Sequence, residues 1–202
     1  TLFKTNGSKI RSIAAATDPS FQEDGRRLVF RSYASSGSAG NRSEGIYYFD
    51  YGNNRDDNHV TGVVYDTYPV FMSGRVLFAS TRDSSGEWRL FYQAKYPGGD
   101  EEACDHGGPC TIGLDPAKIL HNARWPAFSE ATGVIATAGC FGGGCGIWTT
   151  GEGGCDFNGR GCAQIAKGGS DTAPDWSPDG QRLAFNSHED GTYEIYTTAR
   201  TG

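Results

Sequence analysis

The chain turns on Ser170-Asp-Thr-Ala-Pro-Asp-Trp-Ser-Pro-Asp-Gly-Gln-Arg-Leu-Ala-Phe-Asn-Ser187, followed directly by His188-Glu-Asp-Gly-Thr-Tyr-Glu-Ile-Tyr196. Pro174 to Trp176 reads as a short strand. Ser177-Pro178-Asp179-Gly180 reads as a β-turn, with proline supplying a fixed φ and glycine closing the turn. Leu183 to Phe185 forms a second strand, Asp190-Gly191 a further turn signal, and Tyr193 to Tyr196 a third strand. A three-stranded meander of this kind cannot bury both faces alone, so it calls for neighbours.

The pattern recurs. Pro-x-aromatic appears as Pro19-Ser-Phe21, Pro69-Val-Phe71, Pro126-Ala-Phe128 and Pro174-Asp-Trp176, and glycines follow at Gly25, Gly74, Gly133 and Gly180. An apolar triplet comes next: Leu28-Val-Phe30, Val76-Leu-Phe78, Val134-Ile-Ala136 and Leu183-Ala-Phe185. Each copy closes on an aliphatic–aromatic pair, Ile46-Tyr47, Leu90-Phe91, Ile147-Trp148 and Ile195-Tyr196. A strand-only repeat with a period of roughly 50 residues is the mark of a β-propeller. The fold class read from the repeats is therefore all-β, with blades beginning near residues 18, 66, 123 and 171 of one domain spanning 1–202.

These repeats resemble the WD-like propeller repeats of the TolB type, whose pattern runs P-x-W-S-P-D-G, two residues, I-A-F, a turn and a closing I-Y. The fourth copy matches closely, and Asp18-Pro-Ser-Phe-Gln-Glu-Asp-Gly-Arg-Arg-Leu-Val-Phe30 nearly as well. The second and third depart from it, through the short Met72-Ser-Gly74 turn and the long Ser129-Glu-Ala-Thr-Gly133 turn. The resemblance covers almost the whole chain. It implies that the segment before each Pro-x-aromatic is the outermost, fourth strand of the preceding blade: His59 to Val64, Lys118 to Leu120 and Ala163 to Ile165. The last copy has no such segment of its own, whereas Lys9 to Ala14 is an unassigned strand at the other end. The expectation is four blades of four antiparallel strands, closed by a latch of residues 9–14 on 193–198. A piece of a larger ring, or two chains joined into eight blades, is the alternative. The repeat serves scaffolds, translocation proteins and domains attached to peptidases or lyases, so it carries little information about function.

Composition narrows the classes. The chain has 202 residues, 30 glycines, one methionine and a net charge of −6, which argues against a general phosphate-neutralising, nucleic-acid-binding surface. No stretch has the apolar length of a membrane span, and no signal peptide is evident; the start at Thr1 reads as processing or trimming. The six cysteines fall as Cys104/Cys110, Cys140/Cys145 and Cys155/Cys162 in glycine-rich loops, without zinc-knuckle, haem or redox spacing. An even count in such loops reads as disulfides of an extracellular or periplasmic protein, with zinc near His106 as the other reading.

Propeller topology sorts the loops by face. With the innermost strand starting at the upper end, fourth-to-first connections and second-to-third hairpins lie above, and the other connections below. Cys140/Cys145 then lies above and the other two pairs below, so local pairing (104–110, 140–145, 155–162) is the one that avoids crossing the height of a blade.

No nucleophile elbow, phosphate loop or H-E-x-x-H motif is present. His59, His106, His121 and His188 sit on separate elements, which falls short of the metal-binding histidine cluster of a lyase-type propeller. Asp18, Asp66, Asn122 and Asp171 lie near the entrances of the inner strands, with Asp66 and Asp171 each three residues before a proline. They form either a ring of oxygens able to hold a hard cation such as calcium, at Asp66 and Asp171 in particular, or a set of turn caps. Phe141 and His188 stand in the upper hairpins beside them, and Tyr33 and Tyr65 nearby are further contact candidates. Of the four tryptophans, most read as inter-blade packing. The expected role is a non-catalytic extracellular binding or scaffold module for a protein partner or larger assembly, with no required cofactor. A lectin-like, glycan-binding propeller is the first alternative and a metal-dependent lyase-type enzyme the second.

Overall fold

The computed structural model describes residues 2–3, 9–34, 43–51, 55–82, 86–93, 110–111, 121–151, 154 and 161–200. An N-terminal pair, β1 (Leu2–Phe3) and β2 (Lys9–Arg11), precedes four meanders. Blade 1 is β3 (Ala16–Phe21), β4 (Arg27–Tyr33), β5 (Glu44–Asp50) and β6 (Arg55–Thr61). Blade 2 is β7 (Thr67–Met72), β8 (Arg75–Ser80), β9 (Arg89–Gln93) and β10 (Cys110–Thr111). Blade 3 is β11 (His121–Ser129), β12 (Val134–Phe141), β13 (Gly144–Thr150) and β14 (Cys162–Ala166). Blade 4 is β15 (Thr172–Trp176), β16 (Arg182–Ser187) and β17 (Glu194–Ala199). Each sheet is antiparallel, with strands in sequence order.

The turn chemistry repeats with the sequence. In blade 4 the Gly180 N–H donates to Ser177 O at 2.8 Å, while Asp179 Oδ1 accepts from Ser177 Oγ at 2.6 Å and from Gln181 N at 3.0 Å. Blade 1 repeats the arrangement, with Gly25 N on Gln22 O at 2.8 Å and Arg26 N on Asp24 Oδ1 at 2.8 Å. Both are Asx-supported turns, in which a short carboxylate substitutes for a backbone acceptor.

Every inner strand carries a bulge just before its proline. Asp18, Tyr68, Trp125 and Ala173 take φ of 50°, 53°, 52° and 47°, and the pairing register shifts at each. A bulge interrupts the ladder where proline has no N–H to give. The four-fold recurrence makes this strain a property of the architecture. Gly45 and Gly146 meet a different need. A Cβ on either would lie 2.0 Å from a carbonyl oxygen of the neighbouring fourth strand, that of Thr61 or Ala166.

A common register aligns the blades. Phe30 pairs with Tyr47, Phe78 with Phe91, Thr137 with Trp148 and Phe185 with Tyr196. In three of the four the two rings stack, with centroids 6.4, 6.0 and 5.9 Å apart. One face of each sheet packs on the blade before and the other on the blade after, because strand side chains alternate. Val29, Ile46, Tyr48 and Val60 of blade 1 meet Phe71, Val76, Phe78 and Phe91 of blade 2. Leu77, Ala79 and Leu90 then meet Ala123, Ile135 and Trp148, and Ala136, Ala138 and Ile147 meet Leu183 and Phe185. The tryptophans all enter these inter-blade clusters.

The ends of the array depart from the expected closure. Residues 9–11 pair with β1, not with β17, and β17 is the outer strand of a three-stranded sheet. Its face is open as well: Ile195, which aligns with the fully buried Ile46 and Ile147, is 77% exposed. The local hairpin wins because only residues 4–8 separate β1 from β2, a short loop to close, whereas the latch joins opposite ends of the chain. The far face of blade 1, with Leu28, Phe30, Tyr47 and Phe49, is buried and has Ile13, Ala16 and Tyr51 against it. The fourth strand of blade 2 is Cys110–Thr111, and the expected 118–120 lies outside the described residues.

Cys140 and Cys145, directly opposite in the β12–β13 hairpin, form a disulfide. Cys162 is also disulfide-bonded. Cys104 and Cys155, and with them the pairings 104–110 and 155–162, lie outside the described residues.

Candidate binding end

The four inner strands together line one open channel of about 800 Å³, with β3 packed on β7, β7 on β11 and β11 on β15. The bulged residues and their prolines line it, together with Phe21, Phe128 and Trp176. Its charged lining residues are all acidic: Asp18, Glu23, Glu130 and Asp175. Of the four oxygen-bearing candidates at the strand entrances, Asp18 alone lines this channel. Its carboxylate is engaged locally, accepting from Thr17 Oγ1 at 3.3 Å and from Thr67 Oγ1 of the next blade at 3.0 Å.

Asp66 belongs to a closed ion pair. Its side chain is fully buried, Oδ1 accepts from Arg82 Nε at 3.1 Å, and Oδ2 accepts from the other end of the same guanidinium and from Thr61 Oγ1. This two-point pairing uses the planar fork of arginine. The Arg82 guanidinium carbon also lies 5.1 Å from the Phe78 ring centre and 5.4 Å from that of Phe91. Carboxylate and rings together form a cradle, which blade 2 fills from its own hairpin. The sequence reading takes Asp66 as a ring oxygen or a turn cap and does not join it to Arg82. The signal was there in Arg82, two residues past the strand-ending Ser80.

Asp171 occupies the matching place in blade 4. Its N–H donates to Gly168 O at 3.1 Å, as that of Asp66 does to Val63 O at 3.1 Å, so the two turns are alike. The hairpin residue that aligns with Arg82 is here Glu189. Asn122 is exposed, with φ of 52°. His188 is exposed and rests on Tyr193, ring centres 4.5 Å apart. Phe141 is a packing residue, edge-on to Trp148 at 5.6 Å. The structure thus gathers His188, Asp171 and Glu189 on blade 4, keeps Asp66 in its own ion pair, and leaves Phe141 against the blade 2–3 core. Among the described residues no group of three or more His, Cys, Asp or Glu is placed to hold a metal ion.

Large exposed apolar side chains concentrate at the upper end. Tyr33 ends β4 there, Val64 and Tyr65 form the connection into blade 2, and Tyr193, 80% exposed, stands in the last hairpin. Phe21 is the exposed counterpart at the lower end of the channel. Arg31 steadies the upper connection by donating to Val64 O at 3.2 Å. No helix of the described residues is long and apolar enough to cross a membrane.

The blade meanders, their shared register and the central channel define a β-propeller. No protein-family model matches the chain, and no curated protein matches it in sequence. Among solved structures it is similar to a putative TolB from Agrobacterium tumefaciens (16% identity, TM-score 0.59, covering 91% of this chain and 58% of that one). TolB from Acinetobacter baumannii is similar too (15% identity, TM-score 0.58, 90% and 40%), as is a gluconolactonase from Xanthomonas campestris (14% identity, TM-score 0.56, 93% and 59%). The chain therefore spans about two-fifths to three-fifths of the length of these proteins.

Proposed function

We propose that this propeller is a non-catalytic binding module that engages a protein partner, or a larger assembly, through its upper end in an extracellular or periplasmic setting. The observation that carries the reading is that Tyr33, Val64, Tyr65 and Tyr193 are all exposed at the same, upper end of their blades. Exposed aromatics with a polar surround are the usual anchors of a protein interface. Inter-blade packing commits the strands to the core and leaves loops as the variable surface. The Cys140–Cys145 bridge in an upper hairpin supports an oxidising compartment, where such bonds persist. A calcium ion, if one binds, belongs at Asp171, since Asp66 is already neutralised by Arg82. A glycan-binding propeller would call for one polar-plus-aromatic pocket repeated from blade to blade. The aspartate three residues before the proline occurs in blades 2 and 4, while blades 1 and 3 have Ala16 and Ala123 there.

A photo-crosslinking amino acid at Tyr65 (upper) and, separately, at Asp179 (lower) tests the reading in the extracytoplasmic fraction of the producing cell. One dominant protein adduct from position 65, absent from 179, is expected. Adducts of equal strength from both positions, or saturable binding on a glycan array with no protein adduct, would overturn it.

A further inference from the structure

We propose that the upper end of blade 4 is a subsite for a guanidinium group carried by the partner, a cradle that this chain fills for itself in blade 2. The inference rests on the binding role proposed above and names the chemistry of one contact. Blade 2 supplies the template: the Asp66 carboxylate holds Arg82 at two points while the Phe78 and Phe91 rings flank the cation. Blade 4 keeps the carboxylate as Asp171, in the same turn, and the ring pair as Phe185 and Tyr196, stacked at 5.9 Å and 22° against 6.0 Å and 19° for Phe78 and Phe91. What it lacks is the arginine, which Glu189 replaces.

Three features show that this cradle is unfilled from within. Asp171 is 5% exposed, and its carboxylate has no hydrogen-bond or ion-pair partner among the described residues. Its Oδ1 and the Glu189 Oε1 converge on one point, each 2.5 Å from where a methyl on Gly168 would sit. Ser187, two residues before Glu189, is buried with its Oγ unpartnered, whereas Ser32 and Ser80 at the same position accept the N–H two residues on, at 3.3 and 3.1 Å. Two facing carboxylates repel one another, and a cation between them removes that repulsion. A planar guanidinium also suits the bidentate acceptor and the rings, as Arg82 demonstrates in the same fold. Gly168 keeps the approach clear, since any side chain there would occupy the convergence point.

The test titrates the whole chain with N-acetyl-arginine amide, following the backbone amides of Gly168, Asp171 and Glu189 by NMR, with N-acetyl-lysine amide and calcium chloride in parallel. Saturable shifts with the arginine amide are expected, about tenfold weaker in Asp171→Asn. They should be unchanged in Asp190→Asn, whose carboxylate is used locally by Thr192. Glu189→Arg gives a second readout: its arginine should close onto Asp171, raising Tm and abolishing arginine-amide binding. No saturable shift, shifts that survive Asp171→Asn, or a lowered Tm in Glu189→Arg would overturn the proposal. Saturation by calcium instead of the arginine amide overturns the guanidinium assignment in favour of a hard cation. The probe requires no partner, so the two readings fail separately. Cross-links from Tyr65 without arginine-amide binding leave the binding end standing, and the reverse leaves the subsite.

Discussion

Replacing Ile147 and Ile195 by alanine, one at a time, measures whether the last blade has a neighbour. The two side chains occupy the same register position, opposite Ala138 and Asn186 respectively. Ile147 is fully buried in a cluster with Ala136, Ala138, Leu183 and Phe185, so its truncation removes burial and leaves a cavity. The loss should be about 3 kcal/mol, or about 6–12 °C in Tm for a chain of this size. Ile195 is 77% exposed and has little burial to lose. Its truncation should cost less than about 1 kcal/mol, mostly through strand preference. Guanidinium unfolding of the 202-residue chain, with sedimentation to establish that it is monomeric, reads both values. Equal losses for the two variants would refute the reasoning, because they would mean that something covers the face of blade 4 as blade 4 covers that of blade 3.

Three further predictions concern stability. Arg82→Ala should cost about 3 kcal/mol in chemical unfolding, because it strands the buried Asp66 carboxylate; adding Asp66→Ala should recover part of that loss. Replacing Cys140 and Cys145 by serine should cost about 2 kcal/mol, since the bridge closes a loop with a separation of only 5 residues; a loss matching that of a long cross-link would show the hairpin is not its only role. The Ser177 hydroxyl and Gln181 N–H hold the Asp179 carboxyl below its usual range, and the Thr192 N–H and hydroxyl do the same for Asp190. Stability from these groups is present above about pH 4 and is lost as pH falls through the depressed values, so Tm of the Asp179→Asn/Asp190→Asn variant should fall less than wild type on acidification.

The sequence reveals the blades because their determinants are local. Ser177-Pro-Asp-Gly180 dictates its own turn and with it the β15–β16 register, and the Asp190-Gly191 turn does the same for β16–β17, so that Phe185 faces Tyr196 across the ladder. The prolines announce the bulges for a similar reason, since each withdraws one N–H from its strand. The partner of residues 9–11 was not legible, and the expected latch does not appear, because pairing at an edge is made by main-chain groups that any strand presents, and residues 9–11 have β1 close at hand. The short fourth strand at Cys110–Thr111 was missed within a glycine- and acid-rich insertion that shows no strand pattern. At the upper end, the aspartates were found and their circumstances were not. Asp66 and Asp171 stand identically before their prolines, and the difference between them is made 16 and 18 residues downstream by Arg82 and Glu189. Aligning the hairpins past Ser80 and Ser187 would have exposed that contrast.

Hydrogen exchange on the chain with and without the protein captured from Tyr65 tests the central claim, that binding occurs at the upper end, most directly. Partner-dependent protection should fall on residues 62–66, 142–144, 168–171 and 188–193, while the turns at 22–26, 73–74, 130–133 and 177–181 exchange as in the free chain. Protection confined to those lower turns, or running along β17 alone, would contradict the account.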